Sequence, residues 1–164
     1  MNIIDNALDQ ESFLKIKQFM FNECDWYWND DIVDGEDKIF PYTCLFTHNF
    51  FEVKKDHQLY WSQSYSLLLP ILQILQPTTL GRIKGNMYVN QNKFVEHEMH
   101  TDTDKGINAA IYYVNSNNGK TIFLDGSEVE SIENRLVIFK ANQPHKSTNC
   151  TDQWRRININ FNYF

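Results

Sequence analysis

The chain is 164 residues long, 42% hydrophobic, 15% aromatic and 22% charged, with a formal net charge of −6. A chain of this size supports one domain around one core and is too aromatic to be disordered throughout, while its acidic balance gives no counterion-release drive toward nucleic acid. Three cysteines (Cys24, Cys44 and Cys150) are too few and too widely spaced for a disulfide scaffold or a cysteine-based zinc site.

The N-terminal MNIIDNALDQESF lacks a basic n-region, and the longest apolar run, 67–75, is interrupted by Pro70 and Gln73. A single-domain (1–164), soluble, cytoplasmic protein without a membrane span is therefore expected. Asp9 reads as the N-cap of a helix that buries Phe13, Ile16 and Met20 and exposes Lys15 and Lys17. Trp26, Tyr27 and Trp28 are expected to pack into the core or against a helix rather than to form a substrate platform. The acidic stretch from Asp30 to Asp37 reads as a solvated loop, and 43–47 as a short strand. Residues 61–75 read as a second helix, with Pro70 either kinking it or sitting in its first turn.

The pattern changes near Leu80. Short β-type runs at 82–90, 94–102, 107–114, 121–124, 128–132, 136–140 and 155–163 alternate with clusters of Asn, Asp, Gly and Ser. That spacing predicts a barrel or two-sheet sandwich over 81–164, supported by a helical and aromatic region over 1–80.

Five histidines are present: His48, His57, His97, His100 and His145. The informative one is His100, in His100-Thr101-Asp102. On a strand, residues two apart share a face, so this imidazole and carboxylate point at one spot. They supply two thirds of a two-His-one-carboxylate triad, which holds Fe(II) and leaves the opposite positions open. His145, just after the 136–140 strand, fits as the third member. His-x-Asp alone recurs by chance and is a weak signal.

His97 offers competing metal-ligand spacing with His100, but an odd offset on a strand puts the two on opposite faces. His97 is thus read as a surface histidine or a neighbour of the site. Strict alternation also places Glu96 and Glu98 on the face of His100, which requires either a bulge before His100 or a wet rim. His48 and His57 are read as surface residues, and Cys150 as a loop cysteine with no activating partner.

From 155 to 163, Arg155, Ile157, Ile159, Phe161 and Tyr163 alternate with Arg156, Asn158, Asn160 and Asn162. The polar row faces either solvent or a polar cavity. In the latter case a guanidinium there grips the far carboxylate of a dicarboxylate through parallel hydrogen bonds. A one-residue register shift would exchange Arg155 and Arg156, and parity favours Arg156.

Taken together, HTD, NAAIYYVNSNNGKTIF, NRLVIFKANQPHKS and RRININFNYF, in that order, resemble the Fe(II)/2-oxoglutarate-dependent dioxygenases. The likeness is to their prolyl-hydroxylase-like branch and to its small phage-encoded members, and it covers 80–164. It implies a mainly β fold with some α: a double-stranded β-helix (jelly-roll, cupin-like) core with N-terminal helices packed outside. It also implies Fe(II) on His100, Asp102 and His145, and 2-oxoglutarate held by Arg156 with Tyr113 and Asn158 beside it, Tyr112 facing the other way. The chain departs from the family in having only Asn118-Gly119 before Lys120-Thr121, where paired glycines are frequent.

The implied activity is hydroxylation of an unactivated C–H bond in a peptidyl or free amino-acid side chain. Dioxygen and 2-oxoglutarate are the small-molecule co-substrates, and succinate and carbon dioxide are released. The alternative is a cupin-like protein that binds a metal or small ligand without oxygenase turnover, which would have no need of an arginine opposite the metal. Nucleic acid is disfavoured as a substrate by the acidic charge and the absence of a basic stripe.

Overall fold

The computed structural model describes residues 1–30, 44–54, 56–103 and 106–164; residues 31–37 of the acidic stretch therefore lie outside the described residues. Its strands are β1 (Asn2–Ile4), β2 (Tyr27–Asn29), β3 (Leu45–Val53), β4 (Leu59–Trp61), β5 (Leu80–Val89), β6 (Asn108–Tyr113), β7 (Lys120–Phe123), β8 (Glu128–Glu130), β9 (Arg135–Lys140), β10 (His145–Ser147) and β11 (Arg155–Tyr163). The α-helices are α1 (Gln10–Gln18) and α2 (Leu69–Leu75). Among the described residues no helix is long and apolar enough to cross a membrane.

Among the described residues, eight strands form one antiparallel sheet in the order β1-β9-β6-β11-β5-β3-β2, with β4 paired to β3, and β10-β7-β8 form a smaller one. Period-two alternation gives the large sheet two unlike faces. On one face Ala110, Tyr112, Leu136, Ile157, Ile159, Phe161, Ile83 and Met87 share an apolar cluster with Phe13 and Ile16 of α1 and Ile71, Leu72 and Leu75 of α2. On the other, Ala109, Ile111, Tyr113, Val137 and Phe139 pack against Phe123 of β7 and Val129 of β8. The small sheet therefore covers β6 and β9. The same face of β11, β5 and β3 continues as Arg156, Asn158, Asn160 and Asn162, then Tyr88, Asn86, Lys84 and Arg82, then Thr47 and Asn49. Where the covering sheet ends, the buried face changes from apolar to polar.

Local chemistry sets the element boundaries. Asp9 caps α1, its Oδ1 accepting from the Ser12 amide at 3.0 Å, and Phe13 and Ile16 are the buried face. The second helix is shorter than the sequence predicts: 59–61 is strand, Tyr65–Leu68 a 3₁₀ turn, and only Leu69–Leu75 is α-helical. Pro70 lies in its first turn, where a missing N–H is tolerated and backward extension as an α-helix is blocked. Tyr27 and Trp28 are exposed and only Trp26 packs against the core, contrary to the expectation for this triplet. His48 is also not a surface residue: it is buried, with Nδ1 2.9 Å from the Asp25 carbonyl and Nε2 3.0 Å from Ser62 Oγ.

The expected strand at 94–102 is absent as a regular element; the segment makes isolated bridges, Glu96 to Thr148 and His100 to His145. The hydrogen bonds give the reason. The Asn149 amide donates to the Val95 carbonyl, the His97 amide to Ser147, and His100 and His145 exchange bonds of 2.9 Å in both directions. From Val95 to His97 the two chains advance in step, but from His97 to His100 three residues face two. The extra residue is a β-bulge, and it restores the inward face for His100. Strict alternation therefore fails here, and His97 and His100 both turn inward despite their odd spacing. Glu96 points out, paired with Lys146.

Candidate metal centre and its cavity

His100, Asp102 and His145 meet, each offering a ligand atom, with all these atoms within 4.8 Å of one another. His100 arrives after the bulge, and His145 opens β10. Asp102 is fixed by its amide, which donates to the Ala141 carbonyl at 3.0 Å. The imidazole centroids of His100 and His145 are 4.6 Å apart. His145 is buried against Phe123 and Phe139.

Both imidazoles are oriented by backbone carbonyls. Nδ1 of His145 lies 3.0 Å from the Gln143 carbonyl and Nδ1 of His100 lies 3.3 Å from that of Glu98. A carbonyl only accepts, so Nδ1 carries the proton and Nε2 the free lone pair. Burial, together with the His145 ring, holds His100 below the ordinary histidine value and so favours the neutral, ligating form. Asp102 Oδ2 accepts from Asn162 Nδ2 at 2.9 Å, which leaves the other oxygen available. Two neutral imidazoles and one carboxylate suit a divalent transition ion with open positions, and Fe(II) fits this donor set.

The three residues of the cluster line a cavity of about 440 Å³. Thr121, Ser147, Tyr88, Asn86, Asn158 and Asn160 line it, with Lys84 and Arg82 further along. Arg156 lies behind Thr121 and Tyr88 and is fully buried. Its Nε donates to Ser131 Oγ at 2.8 Å, Nη1 to the Thr148 carbonyl at 3.1 Å and Nη2 to Thr121 Oγ1 at 3.3 Å. The Tyr88 and Tyr113 rings flank it at 5.3 and 5.6 Å. Among the described residues no carboxylate pairs with it. Three neutral contacts leave guanidinium hydrogens unused and the charge uncompensated, an arrangement that calls for an anion.

Tyr113 Oη donates to Thr121 Oγ1 at 2.7 Å, and burial pushes its phenol up. Thr121, accepting from both Tyr113 and Arg156, keeps its own hydroxyl hydrogen for a further acceptor. Asn158 accepts from Asn86 Nδ2 at 3.0 Å. Arg155 faces the opposite side, over the Phe21 ring at 4.6 Å, and Tyr112 likewise, bonded to Asn134.

Some residues around the site carry no marker in the sequence. Ser131 and Thr148 hold Arg156 from separate segments, and no spacing rule links them to it. Asn162 shares the parity of Arg156, so alternation along β11 could have pointed to it. His97 is buried and stacked on Tyr88, centroids 5.2 Å apart, with Nδ1 2.8 Å from Ser147 Oγ. It is neither a surface residue nor a member of the ligand cluster.

No protein-family model matches the sequence, and no curated protein matches it. Solved structures do resemble the fold. An oxidoreductase of the 2OG-Fe(II) oxygenase family from Burkholderia pseudomallei aligns with 98% of this chain and 82% of its own, at 9% identity and a TM-score of 0.68. A prolyl hydroxylase from Trichoplax adhaerens, in complex with a hypoxia inducible factor peptide fragment, aligns over 99% of this chain and 82% of its own, at 14% identity and TM-score 0.65. The non-heme alpha-ketoglutarate-dependent epimerase SnoN from nogalamycin biosynthesis aligns over 99% and 76%, at 12% identity and TM-score 0.66. At these identities the likeness is one of fold, and the fold is shared by proteins of different reaction.

Proposed function

We propose that this protein is an Fe(II)- and 2-oxoglutarate-dependent oxygenase that hydroxylates an unactivated C–H bond of an amino-acid side chain. His100, Asp102 and His145 hold the ion; Arg156, with Thr121 and Tyr113, receives the far carboxylate of 2-oxoglutarate, and Asn158 lies along the same wall. The observation that carries this reading is Arg156: a buried cation without a counter-charge among the described residues, set behind the wall of the cavity that holds the His/Asp cluster. A metal-binding cupin without turnover gains nothing from that uncompensated charge, which costs stability until an anion arrives.

With iron and 2-oxoglutarate bound, the centre would supply the reduction of dioxygen, coupled to oxidation of 2-oxoglutarate to succinate and carbon dioxide and to hydroxylation of the substrate C–H bond. The protein's own residues do the rest. The carbonyls of Gln143 and Glu98 hold the Nδ1 atoms, so both Nε2 atoms would be free to hold the ion, and Asn162 fixes Asp102. Thr121 and Arg156 orient the dicarboxylate, and the Phe123–Phe139 side of the cluster keeps water from His145.

The test is succinate formation from 2-oxoglutarate by the full chain. It should require added Fe(II) and be lost in His100→Ala. Formation indifferent to that substitution would remove His100 from the ligand set, and with it the oxygenase assignment.

A further inference from the structure

The oxygenase reading accounts for the cavity from Arg156 to the His/Asp cluster and leaves the wall beyond it unassigned. That wall is built from the inward positions of β5, β11 and β3. Arg82 and Glu52 are direct cross-strand partners, and both line the cavity. Their charges do not pair with each other. Arg82 Nη2 donates to Asn162 Oδ1 at 3.3 Å, and Glu52 Oε2 accepts from Asn49 Nδ2 at 3.3 Å. Neither group enters an ion pair among the described residues. A cation and an anion thus stand side by side on one surface, each with a single neutral hydrogen bond and most of its capacity unfilled.

A second, independent feature lies on the same wall. Asn160 Oδ1 is buried and accepts no hydrogen bond among the described residues. A buried acceptor in that state costs free energy unless a ligand brings a donor to it. The wall is also tied to the metal cluster, since Asn162 accepts from Arg82 and donates to Asp102. Arg82 is therefore two hydrogen-bond links from the Asp102 carboxylate, and a group held on Arg82 is three.

We infer that this wall is the primary-substrate subsite and that it takes a free α-amino acid: carboxylate on Arg82, ammonium on Glu52, side chain directed at His100, Asp102 and His145. The inference rests on the oxygenase reading for its chemistry but not for its binding. A residue within a peptide chain offers only neutral amides at both positions, so Arg82 and Glu52 would be desolvated without a counter-charge. A ligand carrying only carboxylates would bring Glu52 no donor. A zwitterion satisfies both groups at once, and its ammonium or a side-chain hydroxyl supplies the donor that Asn160 lacks.

The experiment is saturation-transfer NMR on the full chain with a panel of free L-amino acids, the same panel as N-acetyl amides, and a proline-containing peptide. It is run with zinc(II) and 2-oxoglutarate present and again with neither. At least one free amino acid should bind, with its N-acetyl amide about tenfold weaker or worse. Arg82→Gln and Glu52→Gln should each weaken it by about tenfold or more, as expected for loss of a charge-assisted contact. Glu52→Gln does not touch Asn162, so its effect separates substrate binding from support of Asp102, and thermal melts check that both variants fold. Binding of no free amino acid, blocked forms or the peptide binding as tightly, or an unchanged affinity in Glu52→Gln would each overturn the inference. The oxygenase reading fails separately: amino-acid binding without any Fe(II)-dependent succinate formation keeps this subsite and removes the iron chemistry.

Discussion

Asn162 donates from Nδ2 to Asp102 Oδ2 at 2.9 Å, so the last strand steadies a metal-ligand candidate that belongs to a different segment. His100 and Asp102 come from an irregular stretch, and His145 from a strand of only three residues. Neither has the rigidity of a central strand. β11, paired on both sides, lends it: Arg156 at one end of its polar row is bonded to Thr121 and Asn162 at the other to Asp102.

Asn162→Leu should therefore weaken metal binding without unfolding the protein. Loss of an outer partner that orients a ligating carboxylate costs about 10- to 100-fold in affinity. Titration calorimetry with manganese(II) reads this directly, and an affinity equal to wild type would show that Asp102 needs no support from β11.

Arg156→Lys tests the anion site. The guanidinium spreads three bonds over Ser131, Thr148 and Thr121, a planar pattern that an ammonium cannot reproduce. In the zinc-loaded wild type, 2-oxoglutarate should raise the melting temperature, because a ligand that binds only the native state stabilises it. In Arg156→Lys the increment should vanish while zinc binding persists; an undiminished increment would place the carboxylate elsewhere.

How much of this was legible in the sequence depends on regularity. The bounds of β11 and the inward parity of Arg156 follow from strict alternation over 155–163, because a strand paired on both sides cannot slip. Strand alternation points to His100 and Asp102 but does not hold where they sit, since one extra residue between His97 and His100 resets the parity. The same bulge turns His97 inward. Tyr27 and Trp28 depart from the core expectation because aromatic content signals a core only where the backbone faces one, and β2 is an edge strand. The Ser131 and Thr148 contacts to Arg156 join segments whose proximity is purely tertiary.

His97 gives stability a distinctive pH dependence. Burial, then the Arg156 charge, then His100, push its imidazole down to about 3, from 6.5 in the unfolded chain. Between those values the unfolded state binds a proton that the native state refuses, so stability rises with pH there. The contribution is complete above about pH 6.5 and is lost as pH falls toward about 3, at up to about 1.4 kcal/mol per pH unit. In His97→Asn, urea unfolding across that window should have a shallower pH slope than wild type by up to one proton. Parallel slopes would mean that His97 titrates freely in the folded protein.

Gly119 offers the sharpest steric test. A Cβ there would lie 2.5 Å from Arg156 Cδ and 2.6 Å from the Asn149 carbonyl oxygen. The side chain can give way only by moving the guanidinium off its partners, and the carbonyl, being backbone, can give way very little. Gly119→Ala should accordingly destabilise the fold by about 1–3 kcal/mol, the usual range for overpacking a closed site. It should also weaken 2-oxoglutarate binding, because Arg156 Nη2 is displaced from Thr121. Gly106→Ala is the control: nothing lies within 4 Å of its Cβ position, so only the loss of unfolded-state entropy acts, and a gain of up to about 1 kcal/mol is expected. Urea titrations of both variants, with and without 2-oxoglutarate, separate the two effects. If Gly119→Ala keeps wild-type stability and ligand response, the close approach of residue 119 to Arg156 is not what confines that guanidinium.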